Sequence, residues 1–227
     1  MFNSKVFVAE LIGTFALTFF GAGAGVAGAG LLGVALAHGF VLAVFVYVYG
    51  HISGTHVNPA VTFGLAVNGT VKWGQAVFSY WLPQFIGAII AASLVQSFFG
   101  DLKGGATVGT LTASAPILAM LVEAFLTFFL VNTILHTAVA GRAGPFAGWA
   151  IGTTLAFAIL AGGPFTGASL NPARTFGPAL FTGDFANPMT YVIYFVGPLA
   201  GSAVAVASFK FLNSEEKAAR KAPARRK

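Results

Sequence analysis

The strongest constraint on this chain is that it carries its own pattern twice. Asn58-Pro59-Ala60-Val61-Thr62-Phe63-Gly64 recurs as Asn171-Pro172-Ala173-Arg174-Thr175-Phe176-Gly177, an offset of 113 with six of seven residues identical. At the same offset Glu10 falls on Glu123, Thr14-Phe15 on Thr127-Phe128, and Ser53-Gly54 on Thr166-Gly167. Each copy holds three apolar runs near the length of about 20 residues that crosses a bilayer. They lie at roughly 5–27, 32–50 and 75–98, then 116–138, 146–162 and 188–211. Three crossings are an odd number, so the second copy lies inverted relative to the first. The motif stretches 58–67 and 171–181 are about half that length, or about 15 Å of helix against a hydrocarbon thickness of about 30 Å. Two such half-helices, dipping from opposite faces, meet at the midplane, which is a transport architecture. The expected fold is an all-α membrane protein with six transmembrane helices plus two re-entrant half-helices in an inverted 3+3 repeat. It forms one channel domain over 1–212, with halves of about 1–113 and 114–212.

Composition agrees with a membrane setting. Apolar residues make up 57% of the chain and charged residues 8%, against about 25% charged in ordinary soluble domains. A disordered chain needs the opposite balance, and a soluble chain of this length cannot hide so much apolar surface. The apolar runs are continuous, which excludes the alternation of a membrane β-barrel. Glu10 in the first run, with further spans behind it, argues against a cleaved signal peptide.

The net charge of +6 is mostly a tail property: seven basic and two acidic residues lie from Lys210 onward. The segment 213–227 is expected to be a disordered, basic cytoplasmic tail that meets anionic membrane lipid; nucleic acid is not an expected partner. Lys5, Lys72, Arg142 and the tail sit at one set of span ends, Asp101, Lys103 and Asp184 at the other. The excess of positive charge places both termini in the cytoplasm. Short termini and a very short first loop suit the cell membrane of a microbe. With no cysteine there is no disulfide or thiol chemistry. No metal-ligand spacing and no nucleophile–base set is present, so no metal, no cofactor and no enzymatic activity are expected. Gly23-Ala24-Gly25-Val26-Ala27-Gly28 matches a dinucleotide fingerprint only formally, since no strand precedes it; close helix packing fits it better. Asn68-Gly69-Thr70 is a glycosylation triplet on the cytoplasmic side, where it has no use.

Asn58 and Asn171 read as helix N-caps with Pro59 and Pro172 at the first helical position. A capping Asn accepts a backbone N–H through its carbonyl oxygen, leaving the side-chain NH₂ free and fixed in direction. Two such donors at one point in a pore orient a water through its oxygen and interrupt a proton wire. The facing helix N-termini repel cations. Arg174 stands in the first turn of the second half-helix, where a cation is disfavoured, and its repeat partner is Val61. A lone Arg at membrane depth is functional by default, and its expected work is donation to water and repulsion of cations.

The stretches Gly50-His51-Ile52-Ser53-Gly54-Thr55-His56-Val57-Asn58-Pro59-Ala60-Val61-Thr62 and Gly167-Ala168-Ser169-Leu170-Asn171-Pro172-Ala173-Arg174 resemble the aquaporin (major intrinsic protein) family, and the likeness covers about residues 5–212. The resemblance implies a homotetramer with one pore per subunit. It implies a filter at His38, Ile159, Ala168 and Arg174, and it makes Glu10 and Glu123 braces for the half-helix loops. His56 falls near the inner vestibule, His51 is a packing candidate, and His136 lies at the cytoplasmic end of the fourth span. Orthodox water channels usually have Phe and His at the first two filter positions. His–Ile–Ala–Arg is instead similar to the filters of tonoplast intrinsic proteins, as are Ile159-Leu160-Ala161-Gly162-Gly163 and Thr175-Phe176-Gly177-Pro178. Thr175 stands where glycerol facilitators usually have Asp. The implied function is passive conduction of water and small neutral solutes with exclusion of protons and ions. Alternatives are a facilitator of ammonia, urea or hydrogen peroxide, a secondary transporter, and a structural membrane tetramer with a closed pore. A pH gate at His38 or His56 is a further option.

Overall fold

The computed structural model describes residues 2–214, so the expected basic tail from 215 on lies outside the described residues. Six long apolar helices form, α1 Ser4–Val26, α2 Gly30–Ser53, α4 Trp73–Phe99, α5 Pro116–Val139, α6 Gly144–Thr166 and α8 Pro188–Leu212. Two short ones lie between them, α3 Pro59–Asn68 and α7 Pro172–Thr182. Among the described residues there is no strand. The spans run up to six residues longer than the hydropathy runs. In α6, Gly163 and Pro164 are carried within the helix, which ends only at Gly167, where φ is +75°.

The inverted repeat is visible in the packing. Gly39 of α2 and Gly152 of α6 are equivalent positions, and they meet. A Cβ on Gly39 would stand 2.7 Å from the Gly152 carbonyl oxygen, and one on Gly152 would stand 2.3 Å from that of Gly39. The helices cross there with backbone against backbone, which only glycine permits. Each half-helix packs on the last span of the other half, α3 on α8 and α7 on α4. The halves are thereby interlocked rather than side by side. In α4 and α8 the offset is 114: Gly87 faces the Leu11 carbonyl and Gly201 faces that of Ala124.

Pro83 and Pro198 each remove a backbone donor inside a helix. The chain answers with a widened π-turn just before each, Ala76–Trp81 and Val192–Val196. These turns carry Tyr80 and Tyr194, both buried. Large apolar side chains such as Leu32, Phe40, Phe125 and Phe157 are exposed on the outer faces, as lipid-facing residues should be.

Candidate functional site

The site is made by two loops that precede the half-helices. Each begins at a glycine with positive φ, Gly54 (+81°) and Gly167 (+75°). Each then holds two non-glycine residues in the left-handed region: Thr55 (+50°) and Val57 (+44°), Ala168 (+43°) and Leu170 (+55°). Such residues cost about 1–3 kcal/mol each and persist only where the surroundings enforce them.

The enforcers are the two buried carboxylates. Glu10 accepts from Ser53 Oγ (2.6 Å), His56 N (2.9 Å), Val57 N (2.6 Å) and Gln84 Nε2 (2.8 Å). Glu123 accepts from Thr166 Oγ1 (2.7 Å), Ser169 N (2.9 Å) and Leu170 N (2.7 Å). Tyr80 and Tyr194 clamp the start of each loop by donating to the Ser53 and Thr166 carbonyls, at 2.8 Å and 2.7 Å. With its N–H groups tied down on one side, each loop turns its last carbonyl the other way, toward the molecular centre.

There the two asparagines meet. Asn58 Oδ1 accepts from Ala60 N at 2.8 Å, and Asn171 Oδ1 accepts from Ala173 N (3.1 Å) and Arg174 N (3.2 Å). The cap roles are as the sequence suggests, but the NH₂ groups are not wholly free. Asn58 Nδ2 donates to the Leu170 carbonyl and Asn171 Nδ2 to the Val57 carbonyl, both at 2.8 Å. Each amide thus spends one hydrogen on the opposite loop, and only the other can serve a passing molecule. The reciprocal pair ties the half-helices tip to tip.

A narrow cavity runs past this point. Its wall is mostly apolar, with Leu17, Leu42, Val61, Leu130, Ile151 and Leu155. The polar exceptions on that wall include His38, His56, Asn58, Ser169, Asn171 and Arg174. The space open to water centres is about 40 Å³. One water needs about 10–15 Å³, so the cavity suits a short single file and not a ligand of metabolite size.

Two of the four expected filter residues are in direct contact at the cavity. His38 and Arg174 line the cavity and touch: Arg174 Nε donates to His38 Nε2 at 3.3 Å. The ring is set by its Nδ1 bond to the Val34 carbonyl, 2.9 Å. It also needs Gly21, where a Cβ would fall 2.2 Å from Nε2. Arg174 Nη1 is buried with no hydrogen-bond partner among the described residues. Ile159 and Ala168 are buried, and both belong to the apolar cluster that includes Leu17, Leu42 and Leu155 of the cavity wall. His51, the packing candidate, is exposed; His136 packs edge-on against Phe209.

Gln84, Tyr80, Tyr194 and the Val57 and Leu170 carbonyls are parts of the site that sequence reasoning did not single out. Gly54 and Gly167, each four residues before its asparagine, were the available signal for the loop conformation. Nothing in the sequence marked Gln84, whose equivalent at offset 114 is Pro198.

Two interlocked inverted halves, with half-helices meeting tip to tip beside a narrow lumen, define a membrane channel. The comparisons say which kind. Residues 1–209 match the family described as Major intrinsic protein. The chain is 41% identical over 225 residues to "Probable aquaporin TIP2-2" of Oryza sativa subsp. japonica, covering 92% of this chain and 87% of that protein. It is 42% identical over 220 residues to "Aquaporin TIP1-2" of Zea mays, covering 89% and 84%. The X-ray structure of the aquaglyceroporin from Plasmodium falciparum shares the fold, with a TM-score of 0.75 and 23% identity over 93% of this chain and 96% of that one. The chain belongs to the major intrinsic protein, or aquaporin, family. It is an integral multi-pass membrane protein of a family of channels, and it is not an enzyme.

Proposed function

We propose that the protein conducts water and small neutral solutes passively while excluding protons and ions. The observation that carries this is the crosswise asparagine pair. Each NH₂ keeps one hydrogen for the lumen at the meeting point of two helix N-termini. A water there accepts through its oxygen and turns its hydrogens away along the pore. A hydrogen-bonded file is thereby broken at its middle, while the half-helix dipoles oppose cations, a barrier described generally for aquaporin-type pores. Neither asparagine titrates, so the midplane lacks the ion- or proton-binding group a coupled transporter uses.

Arg174, with an unpartnered buried donor, supplies hydrogen bonds and positive charge on the far side of the pair. The His38–Arg174 contact favours water as the first cargo, because anything larger must part those two side chains. A polar imidazole where a phenyl ring is usual favours ammonia, urea and hydrogen peroxide as further cargo. The relatives named as aquaporins support the same reading. Basic residues at the ends that carry Lys5, Lys72 and Arg142 support cytoplasmic termini, and the family supports a tetramer with one pore per chain; the cell membrane is the proposed location. Stopped-flow measurement on proteoliposomes, with water, glycerol, urea, ammonia and peroxide in turn, tests the function. Fast, weakly temperature-dependent water flux without proton leak is expected; flux no faster than in empty liposomes refutes it.

A further inference from the structure

A polar recess lies well away from the lumen, where the start of α1 meets the loop that leads from α3 into α4. It is open and has a volume of about 830 Å³, within the range of about 300–1,000 Å³ of small-ligand sites. Lys5 and Lys72 line it, with the Ser4 and Thr70 hydroxyls and the Gln75 amide. Among the described residues no carboxylate lines it. Glu10 and Glu123 are buried in the loop braces, and Asp101 and Asp184 lie beyond the other ends of the spans. Asp101 follows α4, whose 27 residues put about 40 Å between it and Lys72. The two ammonium groups therefore share the recess without a counter-ion among the described residues.

The walls are fixed by the chain itself. Asn3 Oδ1 accepts from Lys5 N (3.0 Å) and Val6 N (3.3 Å), which caps α1, and Asn3 N donates to Ser79 Oγ at 2.8 Å, which ties that cap to α4. On the facing side, Gly69 (φ +89°) lets Thr70 N turn back to the Leu65 carbonyl at 2.8 Å and close α3. Thr70 Oγ1 accepts from Asn68 Nδ2 at 3.0 Å, so its own hydrogen is left to donate. Two cations and several neutral donors, with no competing anion, are the chemistry that recognises a phosphate group.

The surroundings say what carries that phosphate. Trp73, next to Lys72, is half exposed and meets Phe63 and Trp81 edge-on. A tryptophan at a span end marks the level of the lipid headgroups. Beyond Gln75, α4 exposes Phe78 and Leu82, so apolar surface begins where the recess ends. A free phosphate makes no use of that surface, whereas a phospholipid fills the recess with its headgroup and covers the apolar side chains with its acyl chains.

We propose that this recess binds an anionic phospholipid, with the phosphate on Lys5 and Lys72 and the chains along Phe78 and Leu82. The site is distinct from the basic tail. It rests on the bilayer setting and not on the channel reading.

The test uses lipids with brominated acyl chains, which quench a neighbouring tryptophan. The full chain carrying Trp81→Phe and Trp149→Phe, with Trp73 as its one reporter, is placed in phosphatidylcholine bilayers. Brominated phosphatidylglycerol is expected to bind about thirtyfold more tightly than brominated phosphatidylcholine, about fivefold for each lysine. Lys5→Gln with Lys72→Gln should bring that ratio close to one, and Lys5→Arg with Lys72→Arg should keep it. Glutamine in place of the basic residues from Lys217 onward should leave it unchanged. Equal quenching by the two lipids overturns the proposal. So does a ratio that survives the double glutamine variant, or one that is lost with the tail instead. Displacement of the lipid by millimolar glycerol phosphate would make this a site for a free anion and overturn the lipid assignment. Should the double variant not reconstitute, the wild type decides: about 1 M salt should abolish the preference, because the charges are exposed, and a preference that salt leaves unchanged overturns the proposal.

Discussion

Alanine at the helix-crossing glycines gives a graded test of the interlocked architecture. A Cβ on Gly201 would lie 1.9 Å from the Ala124 carbonyl oxygen, on Gly152 2.3 Å from that of Gly39, and on Gly39 2.7 Å from that of Gly152. Each obstacle is the backbone of a packed helix, so no side chain can swing aside. To open the contact to about 3.2 Å the helices must part by about 1.3, 0.9 and 0.5 Å in turn. Overpacking of this kind costs about 1–3 kcal/mol, offset by about 0.5–1 kcal/mol for replacing glycine in a helix. The net loss at Gly152 is therefore about 1–2 kcal/mol. For a chain of this size that corresponds to a fall of about 2–8 °C in Tm. Gly74→Ala, with nothing within 4 Å, should show no loss. Tryptophan fluorescence during heating in detergent gives the order, which should run Gly201 worst, then Gly152, then Gly39, with Gly74 unaffected. Because His38 adjoins Gly39, parting α2 from α6 should also raise urea permeability relative to water. A Gly152→Ala protein as stable as the wild type, or an order unrelated to the contact distances, would refute the backbone-to-backbone crossing.

Other expected outcomes address single residues. Arg174→Val, which installs the residue found at the equivalent position 61, should fold and conduct water but leak protons or cations; a leak no greater than the wild type's in a pH-jump assay counts against a barrier role. Glu123→Gln turns an NH₂ toward backbone donors at Ser169 and Leu170, so at least one buried N–H is left unpaired. That costs about 1–3 kcal/mol, and an unchanged Tm would show that the carboxylate does not hold the strained loop. Mercury should leave water flux unchanged because the chain has no cysteine; inhibition reversed by a thiol reagent would contradict this.

Much of the fold was legible because repetition and membrane thickness are both one-dimensional signals. The offset of Asn58 and Asn171 counted the spans and required the inversion, and the ten-residue motif stretches could only be half-helices. The site was legible where a residue type is costly in a membrane, as with Glu10, Glu123 and Arg174. It was not legible where the chemistry is carried by backbone. The carbonyls of Val57 and Leu170 have no letter of their own, and only the three-dimensional loop shows that they take one hydrogen from each asparagine.

The departures from the repeat are the most informative residues. Where the halves agree, as in Glu10 with Glu123, Asn58 with Asn171 and Gly39 with Gly152, the pair builds the scaffold and acts equally on both sides. A perfectly symmetric pore would offer the same groups to water on entering and on leaving. This one does not. Val61 faces Arg174 across the pseudo-twofold, so the positive charge lies on one side only. His56 faces Ser169 in the same way, and Gln84, which donates to Glu10 and Thr62, has only Pro198 as its equivalent. A water passing Arg174 and the asparagine pair meets donors through its oxygen. The two sides of the pair thus present unlike groups, which the duplication did not copy. Exchanging them tests this directly. Arg174→Val combined with Val61→Arg should move the cation barrier to the α3 side, and currents measured with a proton gradient imposed in each direction would show the leak's asymmetry reverse.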